Sequence, residues 1–440
     1  MAPETSSRRP HRRAKHRDAA RSGRFAWLRV FGPGLLTGAS DDDPSGIATY
    51  SQAGARYGFG LLWTLLLTFP LMVAIQEVAA RVGRVTGHGL AGNLRRAYHP
   101  ALLYILVGLL VLANVLNIAA DIAAMGAAAN VLLGGNALVY MAGLTALSVV
   151  LQMKLPYRLY SRVLMALTLS LTAYVVAAFV VPVPWARALQ RTVVPSFPED
   201  SGYASMVVAI LGTTISPYLF FWQASQEVEE EKADPSASPL KDAPEQAPAE
   251  FRRLRIDTIV GMLASNAIAW FIMLTTAVTL RPAGVRDIDS AAQAAKALAP
   301  IAGRFASLLF AAGVIGTGML AVPVLAGSAA YAVGEATRRP VGLGKKPRQA
   351  RAFYAVIAVA TIAGLALNLA SFDAMKALVL SAVVNGVVAV PTMAMMMHMA
   401  TSRRVMKTFV LGRGLTVCGW AATAVMALAA IAMLVSALLR

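Results

Sequence analysis

Two apolar stretches of this chain are each interrupted by a proline set among small polar residues. The first interruption reads Gly38-Ala39-Ser40-Asp41-Asp42-Asp43-Pro44-Ser45-Gly46, and the second reads Gly212-Thr213-Thr214-Ile215-Ser216-Pro217-Tyr218. In hydrocarbon every unpaired backbone amide costs several kcal/mol, so unwound backbone persists only where it lines a buried polar site. Two such breaks at matching places in two halves of a chain point to the substrate site of a transporter. The carboxylates in the first break make the expected substrate a cation.

The rest of the chain agrees with a membrane setting. Of its 440 residues 57% are hydrophobic and 14% charged, against about 25% charged in soluble domains. Eleven candidate spans lie near 29–55, 59–80, 101–132, 137–153, 161–182, 203–230, 257–280, 303–334, 351–370, 374–399 and 414–438. The expected class is therefore an all-α polytopic membrane protein. A lone cysteine, Cys418, leaves no disulfide framework or cysteine metal site, and none of the five histidines falls in either break. The net charge of +18 does not point to nucleic acid, because the cations sit at span ends, as the positive-inside rule requires.

Loop charges give an orientation. Arg81, Arg84, Arg95 and Arg96 follow span 2; Lys154, Arg158 and Arg162 follow span 4; Arg338, Arg339, Lys345, Lys346 and Arg348 follow span 8; Arg403, Arg404 and Lys407 follow span 10. The alternate loops are poorer in Lys and Arg. This places the N-terminus in the cytoplasm and the C-terminus outside, in what is expected to be a bacterial inner (plasma) membrane. Residues 1–25 read as a disordered basic cytoplasmic tail. The Pro/Ala-rich stretch 231–252 reads as a flexible cytoplasmic linker, and Glu227, Glu229, Glu230 and Glu231 as a solvated helix end or, alternatively, a regulatory or vestibular cation patch.

The broken spans are the first and sixth. An odd repeat of five inverts the second copy in the membrane, so 26–182 and 203–399 are expected to be two inverted five-helix repeats, with 414–438 appended as an eleventh helix. Nothing suggests more than a monomer.

Asp43 is the foremost cation ligand, because it precedes Pro44, where helical backbone is disfavoured and carbonyls are freed. Asp42, and more weakly Asp41, are either further ligands or helix-end charges; Ser40 and Gly46, in the same break, are also candidate metal-site positions. In the second break Thr213 and Ser216 offer hydroxyl or carbonyl oxygens, and Pro217 frees a carbonyl one turn earlier. Asn114, Asn117 and Asp121 share one face of span 3 that must look into the bundle, as a water-lined path or as a hydrogen-bonded network. Asn385 in span 10 is a similar, isolated case, and Tyr218 and Glu230 on span 6 are further candidates for such a path. Glu77 and Arg81 stand at i, i+4, which fits an ion pair, and Met393, Met395, Met396 and Met397 read as packing.

These motifs resemble the NRAMP family of divalent-metal transporters. The likeness runs through Gly32-Pro33-Gly34-Leu35-Leu36, Asp43-Pro44-Ser45-Gly46, Gln52-Ala53-Gly54, Leu61-Leu62-Trp63 and Gln76-Glu77-Val78-Ala79-Ala80-Arg81-Val82-Gly83-Arg84-Val85-Thr86-Gly87, and continues around Asp121. It implies the leucine-transporter-type fold, with a metal site between the breaks of helices 1 and 6. The departures are specific. The family's Asp-Pro-Gly-Asn keeps Asp43 but has Gly46 at the Asn position. Its helix 6 Met-Pro-His becomes Ser216-Pro217-Tyr218, and the Ala three residues before the Met becomes Thr213. Losing the thioether leaves a hard, oxygen-only site, and losing the Asn widens it. That suits Mg²⁺, which keeps several waters, and resembles the NRAMP-related magnesium transporters, which implies Mg²⁺ and Mn²⁺ transport. The family's acid three residues after Asp121 is Ala124 here, its helix 6 His is Tyr218, and its helix 6 Arg aligns with Glu230. Proton coupling is therefore not expected. The alternative is a proton-coupled Mn²⁺ or Fe²⁺ importer of the ordinary family type. No enzymatic motif and no cofactor are expected, and the partners are the metal ion and the bilayer.

Overall fold

The computed structural model describes residues 32–154, 169–198, 200, 202–288, 290–370 and 374–438. The basic tail 1–25, Arg158, Arg162 and the start of the fifth candidate span lie outside these residues. Among the described residues the regular structure is entirely helical.

Each break is built by its own sequence. Helix α1 (Pro33–Asp41) ends at Asp42, and α2 (Pro44–Tyr57) restarts with Pro44 at its first position and Asp43 as its N-cap. Proline has no N–H to offer and a φ already suited to a first turn, so it starts a helix where it would break one internally. A short 3₁₀ turn, Gly58–Leu61, then leads into α3 (Leu62–Thr86). Helices α4 (Leu90–Ala97), α5 (Pro100–Leu133) and α6 (Ala137–Lys154) follow. The fifth candidate span ends as α7 (Thr172–Val180), and the chain then bends by 120° into α8 (Trp185–Val193). Pro182 and Pro184 fall in the bend, where neither can continue a helix.

The second half repeats the pattern. Helix α9 (Tyr203–Thr214) stops at Ile215, and α10 (Pro217–Ala233) restarts with Pro217 after Ser216. Next come α11 (Ala247–Thr279), α12 (Ala306–Ala336), α13 (Arg351–Leu367), α14 (Ala374–Ala400) and α15 (Arg413–Leu438). Eight helical runs are long and apolar enough to cross a bilayer. This count falls below eleven for identifiable reasons. The 3₁₀ turn merges α2 with α3, the 17-residue α13 is one residue short, and the fifth span is only partly described.

The two broken helices are packed in an exchanged way. Helix α1 lies along α11, and α10 lies along α3, so each half's broken helix rests on the other half's second span. Both contacts are glycine crossings. A Cβ on Gly261 would strike the Gly34 carbonyl, and a Cβ on Gly83 would strike the Ala224 carbonyl. Small residues let helix backbones approach where lipid supplies no hydrophobic driving force. Met393, Met396 and Met397 are buried packing residues, as expected.

Two readings of the sequence are corrected. Residues 234–246 are not a loose linker. They fold back over the end of α3, with Leu240 N–H donating to the Arg84 carbonyl at 3.2 Å and Lys241 N–H to that of Val85 at 3.1 Å, and Leu240 is buried. Nor is the acidic cluster a solvated helix end. Glu227 is buried against Arg253 at 2.5 Å, Glu230 pairs with Arg253 at 3.3 Å, and Glu231 pairs with Arg84 at 3.3 Å. A buried carboxylate survives because it is paired, and its partners come from α3 and α11, far away in sequence. The Glu77–Arg81 pair forms as expected, at 2.6 Å.

Candidate functional site

The two breaks meet. Tyr218, one residue past Pro217, donates its hydroxyl to the Ser40 carbonyl at 3.1 Å and lies 3.4 Å from Asp43 Oδ2. On the other side, an added Cβ on Gly46 would lie 3.2 Å from Thr213 Oγ1. Asp43, Gly46, Thr213 and Tyr218 thus surround one small volume, and the three that carry side chains are at most 2% exposed.

Asp43 has two roles. Its Oδ1 accepts the Gly46 N–H at 2.7 Å, which caps α2, while Oδ2 turns toward Tyr218. The carboxylate expected as a cation ligand is therefore also the helix cap, with Oδ2 left facing Tyr218. Ser40 contributes its carbonyl to the break, since its hydroxyl is committed to the Leu36 carbonyl at 2.8 Å. The Ser216 hydroxyl likewise donates back to its own helix, at 2.7 Å from the Gly212 carbonyl and 3.0 Å from that of Thr213. Its oxygen keeps lone pairs for a cation.

Asp41 and Asp42 lie on the α11 side of the break. The Ser265 hydroxyl sits 2.7 Å from Asp41 Oδ2 and 3.0 Å from Asp42 Oδ1, while Asp41 Oδ1 has no partner. A hydroxyl has one proton to give, so two buried carboxylates share one donor. Charge placed there needs a cation or a proton beside it. Ser265 was not anticipated from the sequence; its only signal is a Ser-Asn pair, Ser265-Asn266, inside an apolar run.

The α5 stripe divides. Asn114 donates to the Leu325 carbonyl at 2.8 Å and to Ser328 Oγ at 2.7 Å, which ties α5 to α12. Asn117 is buried with both amide atoms unpartnered. Asp121 is buried within electrostatic reach of Asp43, and neither of its carboxylate oxygens has a hydrogen-bond partner. The stripe is thus a structural link at Asn114 and an unsatisfied polar surface at Asn117 and Asp121. Asn385 is buried on α14 with its carbonyl oxygen unpartnered, close to where α9 crosses at Gly212 and Gly386. Glu230 does not join this region. It sits 14 residues beyond Ser216, about 20 Å along the helix, in the ion pairs with Arg253.

No group of three or more His, Cys, Asp and Glu side chains arranged to hold a metal occurs among the described residues. What the site offers is one carboxylate joined by hydroxyl and carbonyl oxygens, with two further carboxylates next to it.

A family model described as natural resistance-associated macrophage protein-like (Nramp) matches residues 34–436. Among curated relatives, the divalent metal cation transporter MntH of Acidiphilium cryptum is 29% identical over 312 residues, 68% of either chain. MntH of Granulibacter bethesdensis is 25% identical over 409 residues, 91% of this chain and 86% of the relative. Among solved structures, a manganese transporter from Eremococcus coleocola superposes with a TM-score of 0.70 at 17% identity, over 93% of this chain and 87% of the other. Mhp1, a nucleobase-cation-symport-1 family transporter, gives 0.56 at 14% identity over 92% of both chains. These two likenesses are of fold.

Proposed function

Because the chain belongs to the Nramp family, we propose that it is a secondary transporter that moves divalent cations, Mg²⁺ and also Mn²⁺, by alternating access and without proton coupling. It sits in a bacterial plasma membrane with its N-terminus cytoplasmic. The observation that supports this most directly is the meeting of the two breaks at Asp43, where Ser216 and Tyr218 stand in place of the family's soft Met and titratable His and Thr213 adds a hydroxyl beside Gly46. Oxygen-only ligands suit hard cations. The expected widening at Gly46 is not found, since Thr213 Oγ1, the Asp41 carbonyl and the Tyr50 ring close on that position; the preference for Mg²⁺ rests on the oxygen-only donor set. An inward-negative potential supplies about 2.3 kcal/mol per charge per 100 mV, and twice that for a divalent ion, so entry needs no proton gradient.

A proton-coupled Mn²⁺ importer is the second reading. It is favoured by the buried, unsatisfied Asp121 within reach of Asp43 and by the manganese transporter among the fold neighbours. Proteoliposomes holding both a Mg²⁺ dye and a pH dye decide between the two. Mg²⁺ influx without lumenal acidification, abolished by Asp43→Ala, is the expected result. Mn²⁺ influx with acidification and no Mg²⁺ influx would replace it with the second reading.

A further inference from the structure

Away from the ion site, at the shared end of α3, α10 and α12, lies a cavity of about 270 Å³ lined by Arg95, Arg96, Lys232, Arg338 and Arg339. One carboxylate, Glu335, also lines it, so the wall carries a net charge of +4 with His88 neutral. The carboxylate is already committed: Glu335 accepts the backbone N–H groups of Gly89 and Gly92, each at 2.8 Å, at the start of α4. Arg95 is fixed by donating to the Glu335 carbonyl at 2.8 Å. Arg96, Lys232, Arg338 and Arg339 enter none of the ion pairs found among the described residues.

Two further observations set this cluster apart from ordinary cations at a span end. Arg338 has left-handed backbone, φ 59°, one residue past the α12 C-cap. Glycine is the usual residue there because a side chain is disfavoured, yet this chain keeps an arginine and points it into the cavity wall. The neighbouring His88 feels the cluster as well. Burial, and then Arg96, Lys241, Lys232 and Arg95, push its pKa down to about 4. Glu229, Glu231 and Glu335 lie within electrostatic reach of Lys232, so the excess positive charge of the wall is carried by the arginines, beside which His88 stays neutral.

We propose that this cavity is a binding site for a phosphate-bearing anion, held by Arg96, Lys232, Arg338 and Arg339. Arginine matches phosphate through its planar fork and lysine as a point charge. The bound anion bridges the end of the broken helix α10 to the end of α12, and so steadies a moving helix from outside the ion site. A lipid headgroup and a soluble phosphate share this chemistry.

The test uses the full-length protein in phosphatidylcholine nanodiscs. One arm titrates inorganic pyrophosphate by calorimetry. The other measures retention of phosphatidylglycerol by native mass spectrometry after reconstitution in mixed phosphatidylcholine and phosphatidylglycerol discs. Saturable binding in either arm is expected, and the arm that responds identifies the source. Arg338→Gly with Arg339→Ala should weaken it by about tenfold or more. Glycine suits the backbone at position 338, so this variant loses the ligand without losing the fold. Glu335→Gln should strengthen binding, and Arg348→Ala, outside the cavity, should leave it unchanged. No saturable binding in either arm, or binding that Arg338→Gly/Arg339→Ala leaves intact, overturns the proposal.

Discussion

Restoring the family's asparagine at position 46 tests how the site makes its room. An added Cβ there would lie 3.2 Å from Thr213 Oγ1, 3.3 Å from the Asp41 carbonyl oxygen and 3.3 Å from Tyr50 Cε2. Comfortable heavy-atom contacts begin near 3.5 Å, so the first carbon is already a few tenths of an ångström too close on three sides. An amide beyond it has nowhere to go while Thr213 stays. The Asp41 backbone and the Tyr50 ring are fixed by packing, whereas Thr213 is one substitution from alanine. Gly46→Asn alone should therefore cost about 1–3 kcal/mol, the usual range for overpacking. At about 2 °C per kcal/mol for a large chain, the thermal midpoint of the purified protein should fall by roughly 2–6 °C. Adding Thr213→Ala should recover most of the loss, with a coupling of about 1–2 kcal/mol between the sites. In proteoliposomes the double variant should transport Mn²⁺ better relative to Mg²⁺, because the amide oxygen displaces retained water. A normal midpoint for Gly46→Asn alone, or no recovery from Thr213→Ala, would refute the claim that Thr213 fills the missing side chain's space.

Three other perturbations probe the frame. Asp257 accepts the N–H groups of Gly32 at 3.1 Å, Gly34 at 2.6 Å and Leu35 at 3.1 Å, and so caps α1 from α11; Asp257→Ala should speed amide exchange across Pro33–Asp41, and unchanged exchange there would rule out the cap. Arg253→Ala leaves Glu227 buried without its partner and should cost about 3 kcal/mol, read as a lowered thermal midpoint; adding Glu227→Gln should restore part of it, and equal losses in both variants would contradict the pairing. Gly83→Ala and Gly261→Ala should each abolish transport or expression, whereas Gly108→Ala, where a Cβ meets nothing within 4 Å, should be silent in the same uptake assay.

How far the sequence was legible depended on where the signal lay. Asp43-Pro44 and Ser216-Pro217 stood out because proline and polar groups are costly inside an apolar run, and both proved to be helix starts at one site. The buried stripe of Asn114, Asn117 and Asp121 was legible for the same reason. Ser265 was not, since a serine can bond to its own helix and passes unnoticed in a span. Residues 234–246 were misread because their Pro/Ala-rich composition resembles a linker, while the burial of Leu240 depends on the end of α3, about 155 positions earlier. The acidic cluster was misread for a related reason: its arginine partners are neighbours only after folding. Composition reports what a segment costs to bury, but the compensating group is a tertiary fact.

The exchanged glycine crossings carry a mechanical implication. At each one a backbone carbonyl of the broken helix rests where the partner glycine has no side chain, at Gly34 over Gly261 and at Ala224 over Gly83. Such a seam has no interlocking knobs, so it resists separation but offers little friction to rotation or tilting. The two fulcrums lie on opposite halves of the molecule, and each half's second span serves as the bearing for the other half's broken helix. The first broken helix is thus seated on the other half, whereas the second is held from both sides, by α3 at Gly83 and by α14 at the Gly212–Gly386 crossing. A tilt of α3 or α11 would carry the broken helix of the opposite half with it, so these crossings tie the two halves together mechanically.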